Sequence, residues 1–192
     1  MLTKKHTIII LTILYFSLFG GIYINEDLIG GAFNDYKGHF HISEEFRNNF
    51  LYTFFNYDEL RHRHSPFFYI LRSTLPINEM FQRLFFLHIF LFIPIFFYKS
   101  LKIKFKNVDT NYLFLLSILI FLSPTFRTLI IWPDSRILGV TLFTISIFHF
   151  LKFVDNNKFK HALYNIIFYA FSAYISPNFS LFSTFFIYYY FR

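Results

Sequence analysis

The chain has 192 residues, room for one domain, and carries a formal charge of +7. Charged residues are only 15% of it, against about 25% in a soluble domain. Aromatics are 25%, with 33 Phe and 14 Tyr. Solvated disorder, which is poor in aromatics, is excluded, and the long apolar runs would overflow the one small core of a soluble globule. There is no Cys, so disulfides and thiolate metal sites are absent.

In chain order, uncharged stretches recur near 7–25, 84–98, 110–126, 137–151, 162–175 and 179–191. A membrane span takes roughly 20 residues. The shorter runs would borrow flanking Lys or Arg that snorkel to the interface. The expected fold class is therefore all-α, a polytopic membrane protein of about six transmembrane helices forming one transmembrane domain over 1–192. The first run follows Lys4 and Lys5 and is not trailed by a small-x-small cleavage site, so it reads as a retained signal anchor.

Lysine sets the expected orientation. Lys4 and Lys5 precede the first run, Lys99, Lys102, Lys104 and Lys106 separate the second and third, and Lys152, Lys158 and Lys160 separate the fourth and fifth. Nine of the ten Lys then fall on one side of an alternating topology. The positive-inside rule makes that side, and the N-terminus, cytoplasmic. Topology accounts for the basic charge, and nucleic acid is not an expected partner.

The opposite side receives one long segment, residues 26–79, with most of the acids, among them Glu26, Asp27, Asp35, Glu44 and Glu45. Ser43-Glu44-Glu45 predicts an N-cap with acids in the first turn. Phe46, Phe50, Leu51 and Phe54 then give one apolar stripe of a helix lying in the interface. Ser65-Pro66, Ser123-Pro124 and Ser176-Pro177 fall at expected outer ends, where Pro punctuates helices.

Four groups in these outer segments could carry chemistry. Gly30-Gly31 permits a turn that would hold Asp35 near the membrane surface as a general base or cation ligand; a solvated or capping Asp is the plainer reading. His39-Phe40-His41 and His62-Arg63-His64 would, if extended, aim two imidazoles to one face for Zn or Cu, although Arg61 and Arg63 oppose a cation there. Arg127 and Arg136 flank Trp132-Pro133-Asp134. Arg suits phosphate and Trp can stack on a sugar, while an Arg136–Asp134 pair and an interface anchor are the structural alternative. No GxxxxGK[ST], GxGxxG or GxSxG motif occurs.

A first span, an acidic outer segment with an interface helix, and a His-x-Pro element before the second span resemble the GT-C superfamily. These are integral-membrane glycosyltransferases that use polyprenyl-phosphate sugars, and they include protein O-mannosyltransferases and aminoarabinose transferases. The family's acidic motif after the first span is met by Asn34-Asp35-Tyr36. Its His-Pro-Pro-Leu-like element is met by His64-Ser65-Pro66-Phe67-Phe68-Tyr69-Ile70-Leu71. The acidic pair is Asn-Asp rather than Asp-Glu, and Ser65 stands for the first Pro.

The resemblance implies an inverting transfer of a sugar from a polyprenyl-phosphate donor to a glycan, lipid or protein acceptor on the outer face of a bacterial inner membrane. In that reading Asp35 is the catalytic base, and Arg127, Arg136, Arg61 and Arg63 are donor-phosphate ligands. Tyr36, His64 and Trp132 contact sugar or acceptor. No metal site or other cofactor is expected, with a divalent cation as the alternative. Members of the superfamily usually have more spans, so the chain is expected to correspond to an amino-terminal portion. The rival readings are a non-catalytic transport or assembly component, an inactive fragment, or a polysaccharide polymerase with its key Arg residues in a late loop.

Overall fold

The computed structural model describes residues 4–60 and 64–192. Arg61, His62 and Arg63 lie outside the described residues. The chain is helical throughout its described elements: α1 Lys4–Tyr23, α2 Gly31–Asn48, α3 Phe50–Phe55, α4 Phe67–Ser73, α5 Glu79–Phe90, α6 Phe92–Lys104, α7 Thr110–Ile118, α8 Pro124–Ile131, α9 Ser135–Asn156, α10 Phe159–Ile175 and α11 Ser183–Phe191. Short 3₁₀ turns precede α8 and α11.

Three helical stretches are long and apolar enough to cross a membrane: Lys5–Tyr23, the joined α5–α6 stretch Glu79–Lys104, and Ser135–Asn156. A fourth counts if Thr110–Leu122 and Pro124–Ile131, bent by 69° at Ser123, form one span. The first four apolar runs thus coincide with these stretches. The last two runs are less regular. α10 has 17 residues, and α11 has 9 after a 3₁₀ turn, short of the roughly 20 that a span takes. Large apolar side chains along these helices face outward, among them Ile8, Ile13 and Phe16 at 62–63% exposure. In water such faces would be costly to expose; in lipid they have no need of a protein partner.

The segment between the first two spanning stretches differs from the expectation in detail. It is mostly helix, not loop. α2 starts at Gly31, twelve residues before the expected cap, and Ser43 sits inside it with its hydroxyl donating to His39 O at 2.7 Å. Asn49 (φ −149, ψ 72) then breaks the helix, so the Phe46–Phe54 stripe is split. Phe46 enters the core, whereas Phe50, Leu51 and Phe54 of α3 remain 46–67% exposed. The local pattern was apolar at the right period, but Asn49 favours a non-helical backbone and separates its two halves.

Each Ser-Pro pair begins a helical element. Ser123 Oγ accepts from Phe126 N and Pro124 occupies the first turn of α8, where its missing N–H costs nothing. Arg47 of α2 donates to the carbonyls of Ser73 at 3.2 Å and Leu75 at 2.7 Å. That fastens α2 to the carboxyl end of α4.

The buried core gathers at one end of the molecule. Leu18 and Ile22 of α1, Phe46 of α2, Phe68 and Tyr69 of α4, Phe86 and Phe90 of α5, and Ile130 and Ile131 of α8 are all at most 1% exposed. The lysine groups collect at the other end. Lys106 Nζ meets Asp155 Oδ1 at 2.6 Å, joining the α6–α7 turn to the end of α9.

Candidate functional site

The site begins where α1 ends. Asn25 (φ 55) and Asp27 (φ 61) take the left-handed conformation that lets the chain reverse, which Asn and Asp tolerate better than other side chains. Gly30 and Gly31 were expected to provide that freedom, yet neither has positive φ. A side chain at Gly30 would meet the exposed Asp27 carboxylate, which would have to turn aside.

Glu26 then folds back on the bundle. Both its oxygens accept from Arg127 of α8, at 2.6 Å each. Arg127 also donates to Ser17 Oγ and O, each at 2.9 Å. The hydrogen bonds from Arg127 hold the Glu26 carboxyl below its ordinary pKa, against partial burial. The approach is close enough that a methyl group on Gly21 would lie 2.6 Å from Glu26 Oε2 and from Ile131 Cδ1.

Asp35 lies on the second turn of α2, and Oδ2 accepts from Arg136 Nη2 at 2.7 Å. Arg136 also donates to both oxygens of Asp134, at 2.9 and 2.8 Å. Asp134 does a third thing: Oδ1 accepts from Arg136 N at 2.6 Å and caps α9. Its carboxylate is 1% exposed, whereas the side chains of Arg136 and Asp35 are 39% and 42% exposed. Burial disfavours the Asp134 charge, but Arg136 and the nearby His39 overcome that and keep its pKa low. One buried carboxylate thus aims a half-exposed guanidinium at a half-exposed one.

Behind this surface stands a ladder of rings and guanidiniums. Arg83 Cζ sits 3.8 Å from the Trp132 ring centre. Trp132 packs on Phe33 at 4.6 Å and Tyr36 at 5.4 Å. Arg72 Cζ lies 4.1 Å from the Tyr36 ring. Trp132 Nε1 donates to Glu26 O at 2.7 Å. Arg83 donates to Ile131 O at 2.9 Å and Asn25 Oδ1 at 2.7 Å, and Arg72 to Gln82 Oε1 at 2.8 Å. Burial brings Arg72 down to about 10 and pushes Tyr36 up to about 12.

His39, one turn along α2 from Asp35, is buried with its ring 6.0 Å from His64, 5.5 Å from Phe68 and 5.4 Å from Tyr69. The His39–His41 pair does not act together, because α2 is a helix and spacing of two sends the rings to different sides; His41 is exposed. Among the described residues there is no group of three metal-ligating side chains.

The structure therefore brings Asp35, Arg136, Asp134, Tyr36, Trp132 and His64 into one neighbourhood, with Arg127 beside it on Glu26. Tyr36 and Trp132 are 2% and 1% exposed, so a sugar contact through either would require their covered ring faces to open. Arg72 and Arg83 were not singled out in the sequence. The signal for Arg83 was an arginine abutting an apolar run at the acidic end, against the positive-inside trend. Comparison of the chain with protein-family models, with curated proteins and with solved structures finds no match.

Proposed function

We propose that the chain is part of a membrane glycosyltransferase of the GT-C kind, moving a sugar from a polyprenyl-phosphate donor to an acceptor on the outer face. The observation that carries the reading is the meeting of Asp35 with Arg136, an arginine from much later in the chain. Asp35 stands one helical turn from His39, whose ring lies 6.0 Å from that of His64 in the second motif segment. Asp35 takes the acceptor hydroxyl's proton, the hydroxyl oxygen attacks the anomeric carbon, and the lipid phosphate leaves with inversion. Arg136 stabilises the charge that develops on the phosphate. Its half-exposed guanidinium suits that role better than Arg127, whose fork is filled by Glu26 and Ser17.

Membrane preparations given defined lipid-linked sugars test the assignment. Arg136→Ala is expected to weaken donor use by roughly tenfold or more, the worth of a charge-assisted hydrogen bond of about 1.5–3 kcal/mol. Arg127→Ala should act mainly on protein level. Unchanged donor kinetics in Arg136→Ala would move the role to Arg61 or Arg63, or remove it.

The orientation is proposed from lysine. Reporter fusions after Phe105 and Asn157 should read cytoplasm, and one near Asp58 the outer compartment. An outer signal at Phe105 would overturn the arrangement.

A further inference from the structure

At the end opposite Asp35, two recesses share a wall. α1 is held to α5 by Tyr15 Oη and His88 Nε2 at 3.2 Å, and to α8 through Ser17 and Arg127. Both ties lie in its second half. On another face a groove of about 900 Å³ runs along α1 from Thr7 to Leu18, between it, α6 and α7. Leu11, Leu14, Pro94, Ile95, Phe114 and Ile118 give it apolar walls. Volumes of this order hold small-molecule ligands, at roughly 300–1,000 Å³. The groove ends on Lys99 and Lys102.

Those two lysines also line a second recess of about 480 Å³, together with Lys106, Lys152 and Asp155. Four ammonium groups stand there against one carboxylate, and Lys106 already occupies Asp155 at 2.6 Å. Among the described residues, Lys99, Lys102 and Lys152 have no carboxylate within salt-bridge distance. Lys99 Nζ lies 5.0 Å from the Phe96 ring and Lys102 Nζ 5.5 Å from the Tyr98 ring. The stems of both lysines are thereby held at the border between apolar groove and charged recess.

We propose that this end of the bundle binds an anionic phospholipid, its acyl chains in the α1–α6–α7 groove and its phosphate among Lys99, Lys102 and Lys152. The occupant follows from the joining of the two recesses. A free anion would use only the lysines, and an apolar helix would use only the groove and leave the ammonium groups unmatched. A diacyl lipid with a phosphate head matches both. The site is separate from the proposed transfer reaction and rests only on the helices lying in a bilayer.

The test uses the full chain in a neutral detergent, with thermal unfolding and native mass spectrometry as readouts. Dioleoylphosphatidylglycerol should raise Tm by roughly 5 °C more than dioleoylphosphatidylcholine at the same concentration and remain as a bound adduct. Inorganic phosphate should give no such shift. The double variant Lys99→Gln/Lys102→Gln should lose the preference for the anionic lipid, and Leu11→Trp, which fills the groove, should retain less of either lipid. Lys37→Gln, at the other end, should behave as the unaltered chain. Equal shifts from the two lipids, a matching shift from phosphate alone, or an intact preference in the double lysine variant would each overturn the proposal.

Discussion

Asp35→Asn is expected to lower turnover by about a hundredfold or more, roughly 2.7 kcal/mol of barrier, with protein level and donor binding near normal. The substitution removes the base and little else. An Asn oxygen can still accept from Arg136 Nη2, which now lies 2.7 Å from Asp35 Oδ2. Arg136 also keeps its two bonds to Asp134, so the guanidinium stays aimed. The neighbouring acids are the controls. Glu26→Gln breaks the two-oxygen grip on Arg127, which costs stability more than chemistry. Asp27→Asn alters an exposed turn residue and should cost much less than Asp35→Asn. An active Asp35→Asn beside a dead Asp27→Asn would assign the base to Asp27. Full activity in all three variants, in a working assay, would exclude general-base catalysis from this segment.

Trp132→Ala is expected to destabilise the protein by about 3–5 kcal/mol, the usual cost of emptying a buried aromatic site. Three supports go at once. Arg83 loses the ring 3.8 Å beneath it, Phe33 and Tyr36 lose their packing partner, and Glu26 O loses the indole donor at 2.7 Å. Trp132→Phe keeps a ring in the ladder and drops the hydrogen bond, so it should cost about 1 kcal/mol. Unfolding in detergent, followed by temperature or denaturant, measures both. If Trp132 served instead as an exposed sugar platform, Trp132→Ala would leave stability unchanged and raise only the KM for the lipid-linked sugar.

Much of the helical frame is legible in the residues. The apolar runs after Lys5, around residues 84–98 and within 137–151 lie inside stretches able to span a membrane, because hydropathy over 18 or more residues needs no partner to report burial. The lysine groups were assigned one side, and the Lys106–Asp155 pair with the shared lysine recess puts the α6 and α9 groups at one end. Local signals were weaker in the outer segment. Ser43-Glu44-Glu45 has the composition of a helix start but lies within α2, since a cap pattern cannot tell whether a helix is already under way. The His-x-His spacing carries meaning only once strand or helix is known, and α2 answers that against a shared face.

The candidate site divides along the same line. Asp35, Arg127 and Arg136 stood out in the sequence as residue types suited to proton transfer and phosphate, and Arg136–Asp134 as a pair two positions apart. What each of the others faces was not readable. Asp35 meets Arg136, and Glu26 meets Arg127, across 101 residues in each case. Trp132, an apparent interface residue, is instead the buried centre of a ladder built from α2, α4, α5 and the α8–α9 turn. Which segments form apolar helices was readable from the residues alone, because that depends on each residue's transfer between solvents. Only the tertiary structure decided which charges pair and which are covered, because a salt bridge depends on separations of a few ångströms that the packing of distant helices sets.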